Sequence, residues 1–324
     1  MFKKYASTFV LASAALIVSA CGNGDDSAGG EVDDLFVTIA AGGTSGVYYP
    51  IAGAMASVYE NAGHDVSVQA TGASVENVNL LQSDQAELAI VMADTVEQAY
   101  EGFGAYDGED PQDNLVAIAG LYPNVVQVIT TTDSGIDTFA DLEGQRVAVG
   151  DANSGVELNA RMMFEAHDMT YDDISADYLP YGEAIDQMRN GMLDAAFVTS
   201  GVPNSAAMDL ASTHDVTVVP IEDDAMTYLQ DNYPFFIEDT VPAGTYDNEE
   251  DIQTPSITNL LIPNPELSED EVYELTQLFY ENLEQIQSSH DAAQDIEIEN
   301  FQEGVNIPLH PGAERYFQEE GLLD

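Results

Sequence analysis

The 324-residue chain carries 59 Asp and Glu against 6 Lys and Arg, a formal charge of −53. So acidic a surface repels nucleic acid, whose binding rests on basic contacts to phosphate, and repels its own copies at low salt. Its 45% hydrophobic content argues against a disordered acidic chain. In concentrated salt the Debye length falls to about 3 Å and the repulsion is screened, so the composition predicts a folded protein working in a salty outside medium.

Residues 1–20 read as a targeting segment outside the fold. Lys3 and Lys4 precede an apolar run, Tyr5 to Val18, that is too short for a comfortable membrane span. Val18-Ser19-Ala20-Cys21 is similar to a bacterial lipobox, in which Cys21 is acylated and becomes the mature N-terminus. The alternative is an ordinary signal peptide with Cys21 an incidental thiol. Cys21 is the single cysteine, so no intramolecular disulfide is possible. Residues 21–34, rich in Gly, Asp and Ser, read as a flexible tether. The expected location is the outer face of the bacterial cell membrane, the periplasm in a Gram-negative cell, with the lipid anchor as the only membrane contact. Beyond the targeting segment the only bases are Arg146, Arg161, Arg189 and Arg315. The remaining length, about 300 residues, favours two domains.

Phe36 to Ala41 reads as a strand. The loop Gly42-Gly43-Thr44-Ser45-Gly46 then gives way to helical spacing at Ile51, Ala54, Met55 and Val58, stopped by Gly63. Val66, Val68 and Ala70 alternate as in a strand. Thr71-Gly72-Ala73-Ser74 forms the next loop, with Ser74 the expected N-cap of a helix holding Val75, Val78 and Leu81. Leu88 to Met92 is continuously apolar, the mark of a strand covered on both faces. The series is a βαβ unit. Tyr100 to Asn114 reads as a long surface loop whose acids lack calcium-loop spacing. Val116–Leu121 and Val125–Thr130 read as two extended pieces, the second crossing into another lobe.

Arg146 to Gly150 opens that lobe as a strand. Asp151-Ala152-Asn153-Ser154-Gly155 follows, and Ser154 with Glu157 has capping-box spacing. A helix from about Glu183 ends at Asn190-Gly191, before a strand at Ala195–Thr199. Val78–Asp94 and Ile185–Gly201 share one organisation: apolar-faced helix, polar break, acid, short strand and polar tip. That suggests two α/β lobes of similar build with ligand-facing loops at their strand ends. Val216–Ile221 and Ile257–Ile262 read as strands, the latter returning to the first lobe. Ser268 to Glu271 is a second capping box, opening a helix that carries Val272, Leu275, Phe279, Leu283 and Ile286. A short helix closes the chain within Leu309–Leu323. The expected limits are 35–126 plus 226–324 for one lobe and 127–225 for the other.

Three junctions, Gly42–Gly46, Thr71–Ser74 and Asp151–Gly155, combine glycine with Ser or Thr immediately before a helix. If they converge, several hydroxyls and three helix N-termini meet in one cleft that favours a carboxylate without lysine or arginine. Each loop alone is equally an ordinary helix cap. Tyr48, Tyr49, Tyr122 and Tyr181 either wall such a pocket or pack between lobe and hinge. The chain has no P-loop, no dinucleotide fingerprint, no G-x-S-x-G elbow and no H-E-x-x-H. His64, His167, His214, His290 and His310 lack metal spacing. The expectation is a binding protein, not an enzyme, with no cofactor and no metal.

The runs GGTSGVYYPIAGAMA, TGASVENVNLLQSDQAELAIVMAD, LYPNVVQV and DSGIDTFADLEGQRVAVGDANSGVELNAR closely resemble the TAXI family. These TRAP-associated extracytoplasmic immunogenic proteins are the substrate-binding subunits of one class of TRAP transporter. The likeness continues through YPFFIEDTVPAGTY and IPLHPGAERYFQEEGL and covers Phe36 to Leu322. It implies a two-lobed, hinge-connected periplasmic-binding-protein fold of type II, a monomer, and a TRAP permease driven by an ion gradient as partner. It also implies a small organic acid ligand of the glutamate or 2-oxoglutarate class. By similarity Thr44, Ser45, Gly46, Tyr49, Ser74 and Asn77 line the site from the first lobe, and Ser154, Gly155 and Val156 from the second. Where relatives often read GGS this chain has Gly72-Ala73-Ser74, and where they often read GSGT it has Val156 in place of a hydroxyl. Met92-Ala93 stands for a more polar pair before Asp94. A module that presents ligand to a membrane sensor kinase is the alternative use of the same pocket.

Overall fold

The computed structural model describes residues 34–324. The targeting segment, Cys21 and nearly all of the tether lie outside the described residues. β1 (Phe36–Ala40) leads through the glycine loop to α1 (Tyr48–Ala62), which Gly63 ends at φ 116° with its N–H turned back to the carbonyls of Tyr59 and Glu60. β2 (Asp65–Gln69), α2 (Ser74–Gln82) and β3 (Leu88–Met92) follow, and β1 pairs parallel with both other strands. Alternate side chains serve two cores: Val37, Ile39, Leu88 and Ile90 face the α1 side, while Ala40, Ala89 and Val91 face the other. That two-sided cover is why Leu88–Met92 is apolar without a break.

Strand β3 runs directly into α3 (Ala93–Glu101), which occupies the start of the stretch expected to be loop. Tyr106, within a short 3-10 turn there, is buried. The two extended pieces expected next are parts of one strand, β4 (Ala119–Thr131). Pro123 interrupts the apolar pattern and cannot donate to a ladder. The sheet absorbs it where β4 meets β10 (Ile252–Pro263), whose register shifts between Thr258 and Leu260 beside Pro123.

The second half repeats the first. β5 (Arg146–Ala148), α4 (Gly155–Ala166), β6 (Ser175–Asp177), α5 (Tyr181–Arg189) and β7 (Ala195–Ser200) follow in order, with β5 pairing parallel to β6 and β7. The sheet runs β2-β1-β3-β10-β4-β7-β5-β6. Each parallel trio therefore has its first strand in the middle, and its third strand abuts an antiparallel crossing strand, β10 on one side and β4 on the other. Val125 of β4 pairs with Ser256 of β10 and with Ser200 of β7, so one strand serves both halves.

Two further helices lacked a clear sequence signal. α6 (Ser205–Ala211) has seven residues, too few to show a period, and α7 (Asp223–Asn232) begins with acids that resemble any other acidic turn here. Between them β8 (Val216–Val219) pairs with β4, and β9 (Ile237–Val241) pairs with the front of β10. The Ser268 capping box forms in both directions and opens α8 (Glu269–Glu281). The expected long helix breaks at Asn282 (φ −115°, ψ 24°), whose side-chain amide bonds to the carbonyl of Leu278, so Leu283 and Ile286 belong to α9 (Leu283–Gln287). α10 (Pro311–Glu319) starts on a proline, and His310 caps it by accepting the N–H of Gly312.

Each arginine is paired with acid. Arg146 meets Asp194 at 2.6 Å, Arg161 meets Glu157 at 2.6 Å, Arg189 meets Asp186 at 2.7 Å, and Arg315 meets Glu269 at 2.8 Å and Asp270 at 2.9 Å.

Candidate functional site

All six parallel strands end at one cleft. The loop after β1 contributes Gly42, Gly43 and Gly46, and the loop after β2 contributes Thr71, Gly72 and Ala73. Met92 stands at the end of β3. From the other half come Asp151 and Ser154 after β5, Pro180 after β6, and Thr199 and Ser200 at the end of β7. Asn124 of β4 lies on the wall between them. Parallel strands put their carboxyl ends, and the helix starts that follow, on the same edge.

Four loop-to-helix junctions meet here, one more than the sequence suggested: α1 after Gly46, α2 after Ala73, α4 after Ser154 and α5 after Pro180; α3 also starts at this edge, with no loop, directly after Met92. The unpaired N–H groups of first turns favour a carboxylate or other anion. Among the described residues, Asp151 is the one charged side chain on the cleft wall, and no Lys, Arg or His stands there.

The expected site residues divide between the wall and its support. Gly46, Ser154 and Val156 line the cleft. Ser154 caps α4 by accepting the N–H of Glu157 at 3.1 Å, while its hydroxyl donates to the carbonyl of Asp151. The reciprocal half of the box is missing because Glu157 turns to Arg161. Thr44 is exposed, outside the lining. Ser45 ties the first loop to the start of α6, its carbonyl accepting from the Ser205 hydroxyl at 3.0 Å. Tyr49 packs against the α1-side core, and its neighbour Tyr48 lines the cleft. One residue is about 100° around a helix, which a pattern of two adjacent tyrosines does not resolve.

Ser74 does not cap α2. The helix starts at Ser74, and its buried Oγ accepts the N–H of Met92 at 3.2 Å instead. Asn77 is wholly occupied with holding strand ends. Its Nδ2 donates to Ala41 at 2.5 Å and Ile90 at 2.9 Å, and its Oδ1 accepts from the Thr71 hydroxyl at 2.6 Å. Gly155 packs where the two halves meet. A Cβ there would lie 3.0 Å from Ser74 Oγ and 2.2 Å from Met92 Cε.

Ala73 occupies the position before α2 at φ 76° and ψ −142°, a region that only glycine enters without strain. Ala73→Gly is expected to raise stability by about 1 kcal/mol, since the relieved strain exceeds the extra freedom of the unfolded chain. Denaturant melts of both proteins check this, and an unchanged midpoint would mean the loop carries no strain.

The sequence missed Asn124 and the Thr199–Ser200 pair as wall residues, while Tyr48 and Tyr181 line the cleft, one of the two places expected for them. Tyr181 donates its hydroxyl to the carbonyl of Thr199 at 2.7 Å. Their signal is one of topology, because β4 crosses both halves and α5 starts at the same edge. Asp94, in the first turn of α3, is fully buried behind the cleft. It accepts from Asn159 Nδ2 at 2.9 Å, linking α3 to α4, and burial pushes its carboxyl up to about 7. Beyond Gly155 a second depression is lined by Phe103, Arg161 and Tyr233. Among the described residues no helix is long and apolar enough to cross a membrane, and no group of acids, His or Cys has metal-holding geometry.

Two like α/β halves, joined by antiparallel crossing strands and opening one cleft at their strand ends, define the fold of the periplasmic binding proteins. The model of the NMT1-like family matches residues 39–321, and the chain belongs to that family. That match gives the NMT1-like family and does not reach the finer TAXI assignment. The fold is similar to that of a protein from Bordetella bronchiseptica RB50, at 17% identity and TM-score 0.54 over 89% of this chain and 81% of that one. It is also similar to a structure described as a periplasmic transporter, at 13% identity and TM-score 0.53 over 80% of this chain and 87% of that one. The periplasmic aliphatic sulphonate binding protein of Escherichia coli aligns over 89% of this chain and 88% of its own at 14% identity and TM-score 0.46.

Proposed function

We propose that the protein is the extracytoplasmic substrate receptor of a transporter and that it captures a small carboxylate in the cleft described above. The observation that carries this reading is the convergence of four loop-to-helix junctions on a wall that, among the described residues, has no basic side chain. Backbone N–H groups seat the anion there, which suits a chain whose arginines are all paired with acid. The ligand class we propose is that of glutamate and 2-oxoglutarate, and the partner is a TRAP permease, on the strength of the long loop motifs. Cys21 acylation would hold the receptor at the outer face of the membrane.

Ligand would close the halves by hinge motion about β4 and β10. The proposed lobes are 35–126 with 226–324, and 127–225. The first limit falls where β4 passes from β10 to β7. The second falls inside α7, which belongs to one helix from Asp223 to Asn232, so we place the return crossing later, in β9 and β10.

A thermal-shift panel of organic acids and amino acids in molar salt tests the reading, because a ligand that binds only the native state raises the melting temperature. A saturable shift with a dicarboxylate is expected, weakened by Ser154→Ala. Shifts only with neutral or cationic compounds would overturn the carboxylate assignment. Uptake in reconstituted vesicles that follows an ion gradient supports the TRAP partner, and uptake that requires ATP replaces it with an ABC permease.

A further inference from the structure

Among the described residues, two residues of the cleft wall each carry a buried polar atom with no hydrogen-bond partner, Asn124 Oδ1 and Thr199 Oγ1. Their residues are 3% and 2% exposed. A buried polar group left unpaired costs about 1–3 kcal/mol, so a binding site is where such groups are retained.

The chemistry of Asn124 is fixed by a chain of hydrogen bonds that begins at a carbonyl. The Tyr122 carbonyl can only accept, so Asn259 turns its Nδ2 towards it, at 2.8 Å. That leaves Asn259 Oδ1 facing the Tyr48 hydroxyl, which donates to it at 2.5 Å. Having given its proton, the Tyr48 oxygen accepts from Asn124 Nδ2 at 3.2 Å. Turning the Asn124 amide over would set two acceptor oxygens against each other. Asn124 Oδ1 is therefore an acceptor waiting for a donor. Thr199 sits on β7, and the strand's other contact there, from Tyr181, uses the backbone carbonyl and leaves the hydroxyl free. Asp151, the charged wall residue, adds a second reason for the ligand to present a donor.

We infer that Asn124 and Thr199 form a donor-reading subsite, which selects acids bearing an ammonium or hydroxyl substituent over the oxo or unsubstituted acid of the same length. The inference rests on the carboxylate reading of the cleft and deepens it. The helix starts take the carboxylate, and the subsite takes the N–H or O–H. An oxo acid offers only lone pairs to Asn124 Oδ1 and leaves it unpaired. A site built around a hydrogen-bonding group rejects analogues that lack it more strongly than a site built on apolar contact.

Calorimetric titration of matched acids tests this: glutamate, 2-hydroxyglutarate, 2-oxoglutarate and glutarate, with the corresponding four-carbon and three-carbon sets. The amino or hydroxy member is expected to bind at least about tenfold tighter than its oxo and unsubstituted partners. Thr199→Val is near-isosteric and disturbs no hydrogen bond of the free protein, so it should fold normally and narrow the gap between the amino or hydroxy acid and the unsubstituted acid, while leaving the unsubstituted acid nearly unchanged. Asn124→Ser should narrow it further. Equal or tighter binding of the oxo acid, or an equal loss for every acid in Thr199→Val, would overturn the subsite while the carboxylate reading stands. Failure of all the acids to bind would overturn that reading and the subsite with it.

Discussion

Asp94→Asn is expected to be more stable than the parent protein at pH 8 by as much as about 4 kcal/mol, and equal to it near pH 4. Asp94 is fully buried, and desolvation raises its carboxyl from the ordinary 3.8 to about 7. The groups around it give little relief. Asn159 and Thr95 donate hydrogen bonds, and the phenols of Tyr48 and Tyr106 lie close enough to feel its charge. The folded chain thus holds a proton that the unfolded chain has released. That contribution to stability is complete below about pH 4, is lost as pH rises towards about 7, and changes no further above it. Asparagine is neutral throughout and still accepts from Asn159. Denaturant titrations in molar salt, which screens the surface acids common to both proteins, isolate the difference. Parallel stability–pH curves for the two proteins would contradict this account of Asp94.

Gly155→Ala is the second large effect. The added methyl would press on Ser74, which is fully buried and fixed through its bond to the Met92 N–H. Met92 Cε can swing aside, but Ser74 cannot move without breaking that bond. The cost is about 1–3 kcal/mol, and it falls on the contact between the two halves. Loss of about tenfold or more in ligand affinity is expected, a change that corresponds to about 1.4 kcal/mol. Titration of the variant with the best acid from the panel measures it. Unchanged affinity would mean that this contact is no part of the ligand-bound form.

The parts legible in sequence were those with local causes. Gly63 ends α1, Ser268 and Glu271 open α8, and the unbroken apolar run of β3 reflects cover on both faces. The glycine loops were legible as helix starts because glycine with a hydroxyl at that place has few other uses. What escaped were features set by distant partners. Pro123 concealed the continuity of β4, which the shifted register of β10 restores. Ser74 has the composition of a cap, yet its hydroxyl is claimed by Met92 from another strand. Tyr48 and Tyr49 differ only in the side of α1 they occupy. Asn124 and Thr199 bear no motif at all. They reach the cleft because one long strand crosses both halves, a fact of topology and not of spacing.

Hydrogen–deuterium exchange with and without the acid that gives the largest thermal shift tests the central claim most directly. Binding in the cleft predicts slowed exchange at Gly43–Tyr48, Ala73–Val75, Gly155–Glu157 and Tyr181–Glu183, the amides at the four converging helix starts. It predicts protection from both halves at once, with α8 and α10 unchanged. Protection confined to one half, or centred on the depression beside Phe103, Arg161 and Tyr233, would contradict the claim that the four helix starts form the ligand site.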